Sequence, residues 1–143
     1  MPLNIPLTLS RVIPAPRDRV FAAWTVPELL MQWWGPGPVT CPQAEVDLRE
    51  GGGYRLANLE LDGSITWISG QFERVQPPEE LIYTWNVSIL PDEATRVRVQ
   101  FLTHGTGTEI LLTHERFAAE PVRDMHLMGW NACIDKLVAL LSA

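Results

Sequence analysis

Apolar positions recur along the chain at two different intervals, and the changes of interval divide it into elements. Leu7 and Leu9 alternate with Thr8 and Ser10 before Val12 and Ile13, which predicts a strand over Leu7–Ile13, stopped by Pro14-Ala15-Pro16. Val20, Phe21 and Trp24 then fall on one side of a short helix over Arg17–Trp24. Thr25-Val26-Pro27 is a break and a restart. Thr25 is expected to cap, Pro27 is tolerated in a first turn, and Glu28 suits the positive end of a helix running from Glu28 to about Trp34. Gly35-Pro36-Gly37-Pro38 ends that helix.

From Val39 the period is two. Strands are predicted over Ala44–Arg49, Gly53–Leu61, Ile65–Gln76, Leu81–Ser88, Thr95–His104 and Glu109–Phe117. Gly51-Gly52-Gly53 permits a bend or bulge, while Asp62-Gly63, Pro77 to Glu80 and Gly105-Thr106-Gly107 mark turns. Such short connections make sequence neighbours antiparallel neighbours in space. Parity puts Val97, Val99 and Phe101 on an inward face, and likewise Ile110, Leu112 and His114.

The helical period returns over Pro121–Leu141. Gly129, Trp130, Cys133, Ile134, Leu137, Leu140 and Leu141 form one stripe, with Asp124, Asn131 and Asp135 opposite. His126 lies inside the apolar stripe, one turn ahead of Trp130. The order is strand, two short helices, six strands, long helix. It predicts an α+β fold in which a curved antiparallel sheet of six to seven strands wraps the C-terminal helix, as a single domain over residues 1–143.

Composition adds exclusions. The 143 residues suit one domain, and 46% hydrophobic with 20% charged residues is a globular balance. A net charge of −6 argues against nucleic acid, and scattered Lys and Arg give no grip on an anionic membrane. No apolar run approaches the ~20 residues of a membrane span, and no leader precedes the first strand. The expected compartment is the cytoplasm, with no membrane anchor. In that reducing setting a Cys41–Cys133 disulfide is not expected. Asn86-Val87-Ser88 reads as a chance glycosylation pattern.

Six tryptophans are a high count for this length. Trp33, Trp34, Tyr54, Trp67, Tyr83, Trp85 and Trp130 suit core packing, or the walls of a cavity that the sheet and helix leave unfilled. His114 and His126, with Glu115 adjacent, are the ionisable candidates for a polar spot inside it. His104, His114, His126, Cys41 and Cys133 lack the spacing of a structural zinc site, so no metal is predicted. The glycine run precedes a strand rather than a helix, which rules out a phosphate cradle, and no nucleophile elbow is present. No cofactor is predicted.

Several motifs resemble a known family. They are Gln32-Trp33-Trp34-Gly35-Pro36, Asp47-Leu48-Arg49 with Gly51-Gly52-Gly53-Tyr54, Tyr83-Thr84-Trp85, Leu112-Thr113-His114-Glu115, and His126 with Gly129-Trp130. In that order they look like the domain related to the C-terminal part of the activator of Hsp90 ATPase, from Arg11 to Leu141. The resemblance implies the helix-grip architecture of the Bet v 1-like or START-like superfamily, with a hydrophobic cavity. Its members bind lipids, sterols, hormones or polyketides, and some are enzymes, so the fold does not choose the function. The eukaryotic co-chaperone's additional N-terminal domain has no counterpart here, which argues against Hsp90 activation.

The first expectation is therefore an apolar, lipid-like or aromatic ligand held by Trp33, Trp34, Tyr54, Tyr83, Trp85, His114, His126 and Trp130. The second is an enzyme in the same cavity, with His126 or His114 as base and Tyr83 or Glu115 assisting. The third is an interaction module touching a chaperone, and a homodimer is a further candidate assembly.

Overall fold

The computed structural model describes residues 6–142, without the side chains of 91–93. In chain order the elements are β1 (Leu7–Ile13), α1 (Arg17–Thr25), α2 (Pro27–Trp33), β2 (Ala44–Val46), β3 (Gly53–Leu59), β4 (Ile65–Gln76), β5 (Glu80–Val87), β6 (Leu90–His104), β7 (Gly107–Glu115) and α3 (Glu120–Leu141). The strands make one antiparallel sheet in the order β1-β7-β6-β5-β4-β3-β2. It curves around α3 in a helix grip.

Alternation along the strands explains why one face is buried. β7 sets Thr108, Ile110, Leu112 and His114 inward, and β6 does the same with Val97, Val99 and Phe101. Against them α3 lays Trp130, Cys133, Ile134, Leu137 and Leu141. Each such Leu or Ile contributes about 1.5–3 kcal/mol by leaving water, so the second half of α3 is held firmly. Two polar clamps reinforce that half. Arg11 Nη2 meets Asp135 at 2.7 Å, and Lys136 Nζ donates to the carbonyls of Gly37 and Val39. The exposed Arg11 pair adds little beside the buried face.

Two glycines are required by geometry. Gly35 leaves α2 at φ +108°, where any side chain would run into the Val39 carbonyl. Gly70 pairs with Tyr54, and a side chain there would strike the Thr84 carbonyl. The Tyr54 hydroxyl donates to that same carbonyl at 2.6 Å, so its ring covers the glycine.

Several boundaries differ from expectation, each for a local reason. β2 stops at Val46, not Arg49, because Asp47–Gly52 curls into a turn closed by Arg49 N–H to the Asp47 carbonyl and Gly52 N–H to the Arg49 carbonyl. β3 ends at Leu59 because Glu60–Ser64 closes the hairpin. β5 starts one residue early, at Glu80, and ends at Val87. β6 begins at Leu90, five residues before Thr95, since Val87 pairs with Leu90 across a two-residue turn. β7 ends at Glu115 because Arg116 takes φ +74°, which swings Phe117 into the core. Thr25 does not cap α2. Its hydroxyl bonds back to the Phe21 carbonyl at 2.9 Å instead.

On the outer face Glu80 is 6% exposed and joins three strands. It accepts from Arg74 Nη1 at 2.9 Å and from Arg98 Nε at 2.6 Å. Burial pushes its carboxyl up, but the hydrogen bonds and charges of Arg98 and Arg74 outweigh that and hold it below the usual range. Both arginines are about half exposed, so screening reduces their contribution. Glu80→Gln is expected to cost about 1 kcal/mol, a fall in Tm of about 3 °C by calorimetry at pH 7. An unchanged Tm would show that the bridge contributes nothing.

Candidate functional site

Packing is incomplete between the sheet and the first half of α3. A cavity of about 200 Å³ opens there. Trp34 and Pro36 close one end, Asn58, Thr66, Ile68, Trp85 and Val87 form the sheet wall, and His126, Gly129, Trp130 and Cys133 form the helix wall. Ile89 and Met125, 69% and 55% exposed, complete the lining with Leu90 and Glu60.

The wall is built from interlocked indoles. Trp130 lies 5.4 Å from Trp34, 5.2 Å from Trp85 and 6.0 Å from Trp24, ring centre to ring centre. An unpaired buried N–H costs about 1–3 kcal/mol, and all five buried indoles avoid it. Trp24 donates to the Tyr83 hydroxyl, Trp33 to the Ala23 carbonyl, Trp34 to Asn58 Oδ1, Trp85 to His126 Nε2 and Trp130 to His114 Nδ1. Each ring is thereby held in one orientation.

Those donations fix both histidines. An indole N–H can only donate, so His114 Nδ1 accepts and its Nε2–H must donate to Thr95 Oγ1, 2.7 Å away. The Thr95 hydroxyl passes the chain on to the Trp85 carbonyl at 3.3 Å. His126 has the opposite tautomer. Its Nε2 accepts from Trp85, and Nδ1–H donates to the Val122 carbonyl at 2.8 Å. Burial holds His114 well below the ordinary histidine range, and the neighbouring His126 lowers it further. His114 is therefore a neutral strut.

The expected site residues do not all meet. Trp34, Trp85, His126 and Trp130 line the cavity. Tyr54 and Tyr83 line a separate void of about 20 Å³, the room of a single water. Burial raises both phenols above their ordinary pKa, with Tyr83 adding to the shift of Tyr54. Trp33 is fully buried outside both spaces, and His114 sits behind Trp85 and Trp130, 0% exposed. Glu115 lies on the opposite face of β7 from His114, 3.8 Å from Arg96, because adjacent strand residues point opposite ways. Trp67 is stacked under Arg55. Both cysteines are free, and burial pushes the Cys133 thiol up to about 12.

Sequence reasoning missed Asn58, Glu60 and Thr66. The signal was present. Asn58 and Glu60 share the parity of Tyr54 and Leu56, and Thr66 is the cross-strand partner of Asn58. Burial keeps His114 neutral and the Cys133 thiol protonated, and the remaining lining is mainly apolar.

Solved structures share this architecture. A protein from Chromobacterium violaceum superposes with a TM-score of 0.88 at 24% identity, covering 99% of both chains. The AHSA1 protein of Silicibacter pomeroyi gives 0.86 at 24%, covering 96% of this chain and 98% of that one. CalU16 from Micromonospora echinospora gives 0.73 at 26%, covering 96% and 76%. No curated protein matches the sequence. Among the described residues no helix is long and apolar enough to cross a membrane. The model of one family spans residues 14–142, and the chain belongs to that family, the activator of Hsp90 ATPase homolog 1-like proteins.

Proposed function

We propose that this chain binds a small apolar molecule between the sheet and α3. The observation behind this reading is the space of about 200 Å³, walled mainly by apolar side chains, that the described residues leave unfilled. An apolar cavity of ~150 Å³ takes up benzene, so this one suits one or two fused rings or a short branched chain. Burying ~200 Å² of such a ligand gives about 5 kcal/mol before association costs, which points to affinities weaker than micromolar.

Gly129 supports the same reading. A glycine in mid-helix costs about 1 kcal/mol relative to alanine. A methyl group at Gly129 would nevertheless meet nothing closer than Pro36 Cβ at 4.0 Å. The helix forgoes that stability where a side chain would fill the cavity. Gly129→Ala is expected to raise stability by about 0.5–1 kcal/mol. Gly129→Leu is expected to weaken naphthalene binding about tenfold by calorimetric titration, with the fold intact. Unchanged binding in Gly129→Leu, or no binding by the unaltered protein, would sink the proposal.

A further inference from the structure

The cavity is not uniformly greasy, since Asn58, Glu60 and Thr66 are among its lining residues. Asn58 and Thr66 face each other across β3 and β4 on the cavity wall, and each is only 9% exposed. The Trp34 indole takes Asn58 Oδ1 as its acceptor, which orients the amide. Among the described residues, the Asn58 Nδ2 group and the Thr66 hydroxyl then have no hydrogen-bond partner within the protein. Both are nevertheless reachable from the cavity, since neither counts among the fully enclosed unpaired atoms. Two residues further along the same face, Glu60 brings a carboxylate to the mouth with no cationic partner among the described residues.

The charges around the space are one-sided. Among the described residues no Lys or Arg lines it. His126 accepts from Trp85 at Nε2 and gives its Nδ1–H to the Val122 carbonyl. The net charge of −6 is also unfavourable to anions. An anionic head group at Asn58 and Thr66 would meet the Glu60 carboxylate and no Lys or Arg among the described residues, and desolvating it there would be costly. A group that both accepts from the Asn58 amide and donates to Thr66 or Glu60 would pair two of these three open groups.

Resting on the cavity-binding reading, we infer that the ligand is an uncharged amphiphile: an apolar ring or chain against the indoles, with a hydroxyl or carboxamide head at Asn58, Thr66 and Glu60, and that carboxylates are rejected. The selection is by charge as much as by shape. Fatty acids and aryl carboxylates fall outside the class, while alcohols, phenols and primary amides fall within it.

The test is calorimetric titration of the intact protein with three probes on one skeleton, naphthalene, 2-naphthamide and 2-naphthoate. The last two have nearly the same shape and differ in charge. The amide is expected to bind about tenfold tighter than the carboxylate at pH 7. Thr66→Val, which keeps the side chain's shape, should weaken the amide about fivefold relative to naphthalene measured on the same variant, while Glu60→Gln should strengthen the carboxylate by a similar factor. Naphthalene binding with the amide no tighter than the carboxylate would overturn the inference while the cavity reading stands. So would a pattern of affinities that neither variant moves. If naphthalene itself does not bind, the cavity reading fails and this inference with it.

Discussion

Trp130→Ala is expected to lower the unfolding free energy by about 3–5 kcal/mol, a Tm fall of roughly 10–20 °C. Three effects add. The substitution removes a ring that is 3% exposed and touches Trp24, Trp34 and Trp85. The void it leaves cannot collapse, because the neighbouring indoles are held by their own N–H bonds to Tyr83, Asn58 and His126. It also strips His114 Nδ1 of its donor in a fully buried setting. Trp130→Phe should fall between the two proteins, keeping a ring but losing the donor. Denaturant unfolding monitored by circular dichroism measures the series. A loss below ~1 kcal/mol for Trp130→Ala would show that the indole cluster is not a mutually supporting unit.

The second large effect is on acid stability. His114 has its folded-state value lowered well below the ordinary 6.5, first by burial and then by His126. The unfolded chain therefore binds the proton more readily than the folded one. Below pH 6.5 the unfolded state carries more protons, so stability falls as pH falls. This continues until the folded-state value is reached, at up to about 1.4 kcal/mol per pH unit from this one site. Protonating Nδ1 would also turn the acceptor of Trp130 into a second donor. His114→Gln, whose amide does not titrate, should flatten the slope of unfolding free energy between pH 6.5 and 5 while lowering stability at pH 8. Parallel slopes for the two proteins would rule out His114 as the origin.

The fold was legible because period and punctuation agree. The inward parity of His114, the apolar stripe of α3 and the turns at Gly63 and Gly105 all follow from local sequence. What sequence hid was depth. Trp33 and Trp34 are adjacent and chemically identical, yet one is sealed in the core and the other walls the cavity. That depends on how α2 meets α3 and on the turn at Gly35, which no pattern of apolar residues encodes. The early start of β6 was hidden for a different reason. The stretch before Thr95 shows no apolar–polar alternation, and its pairing with β5 is imposed by the neighbouring strand. Asn58 and Thr66 were passed over because polar residues in a strand read as solvent-facing. Only the register that sets them opposite each other on the inward side reveals them.

The two halves of α3 are held very differently. Ile134, Leu137 and Leu141, with the Asp135 and Lys136 clamps, tie down the second half. The first half carries exposed Met125 and Met128 and rests on the cavity. Local opening free energy is therefore expected to fall along the helix from its C-terminal to its N-terminal end, read as faster amide hydrogen exchange over its first two turns. On the proposed binding reading, a guest would pass beside these first turns, while the last three turns keep the fold closed. Exchange of such a ligand would then not require unfolding of the domain.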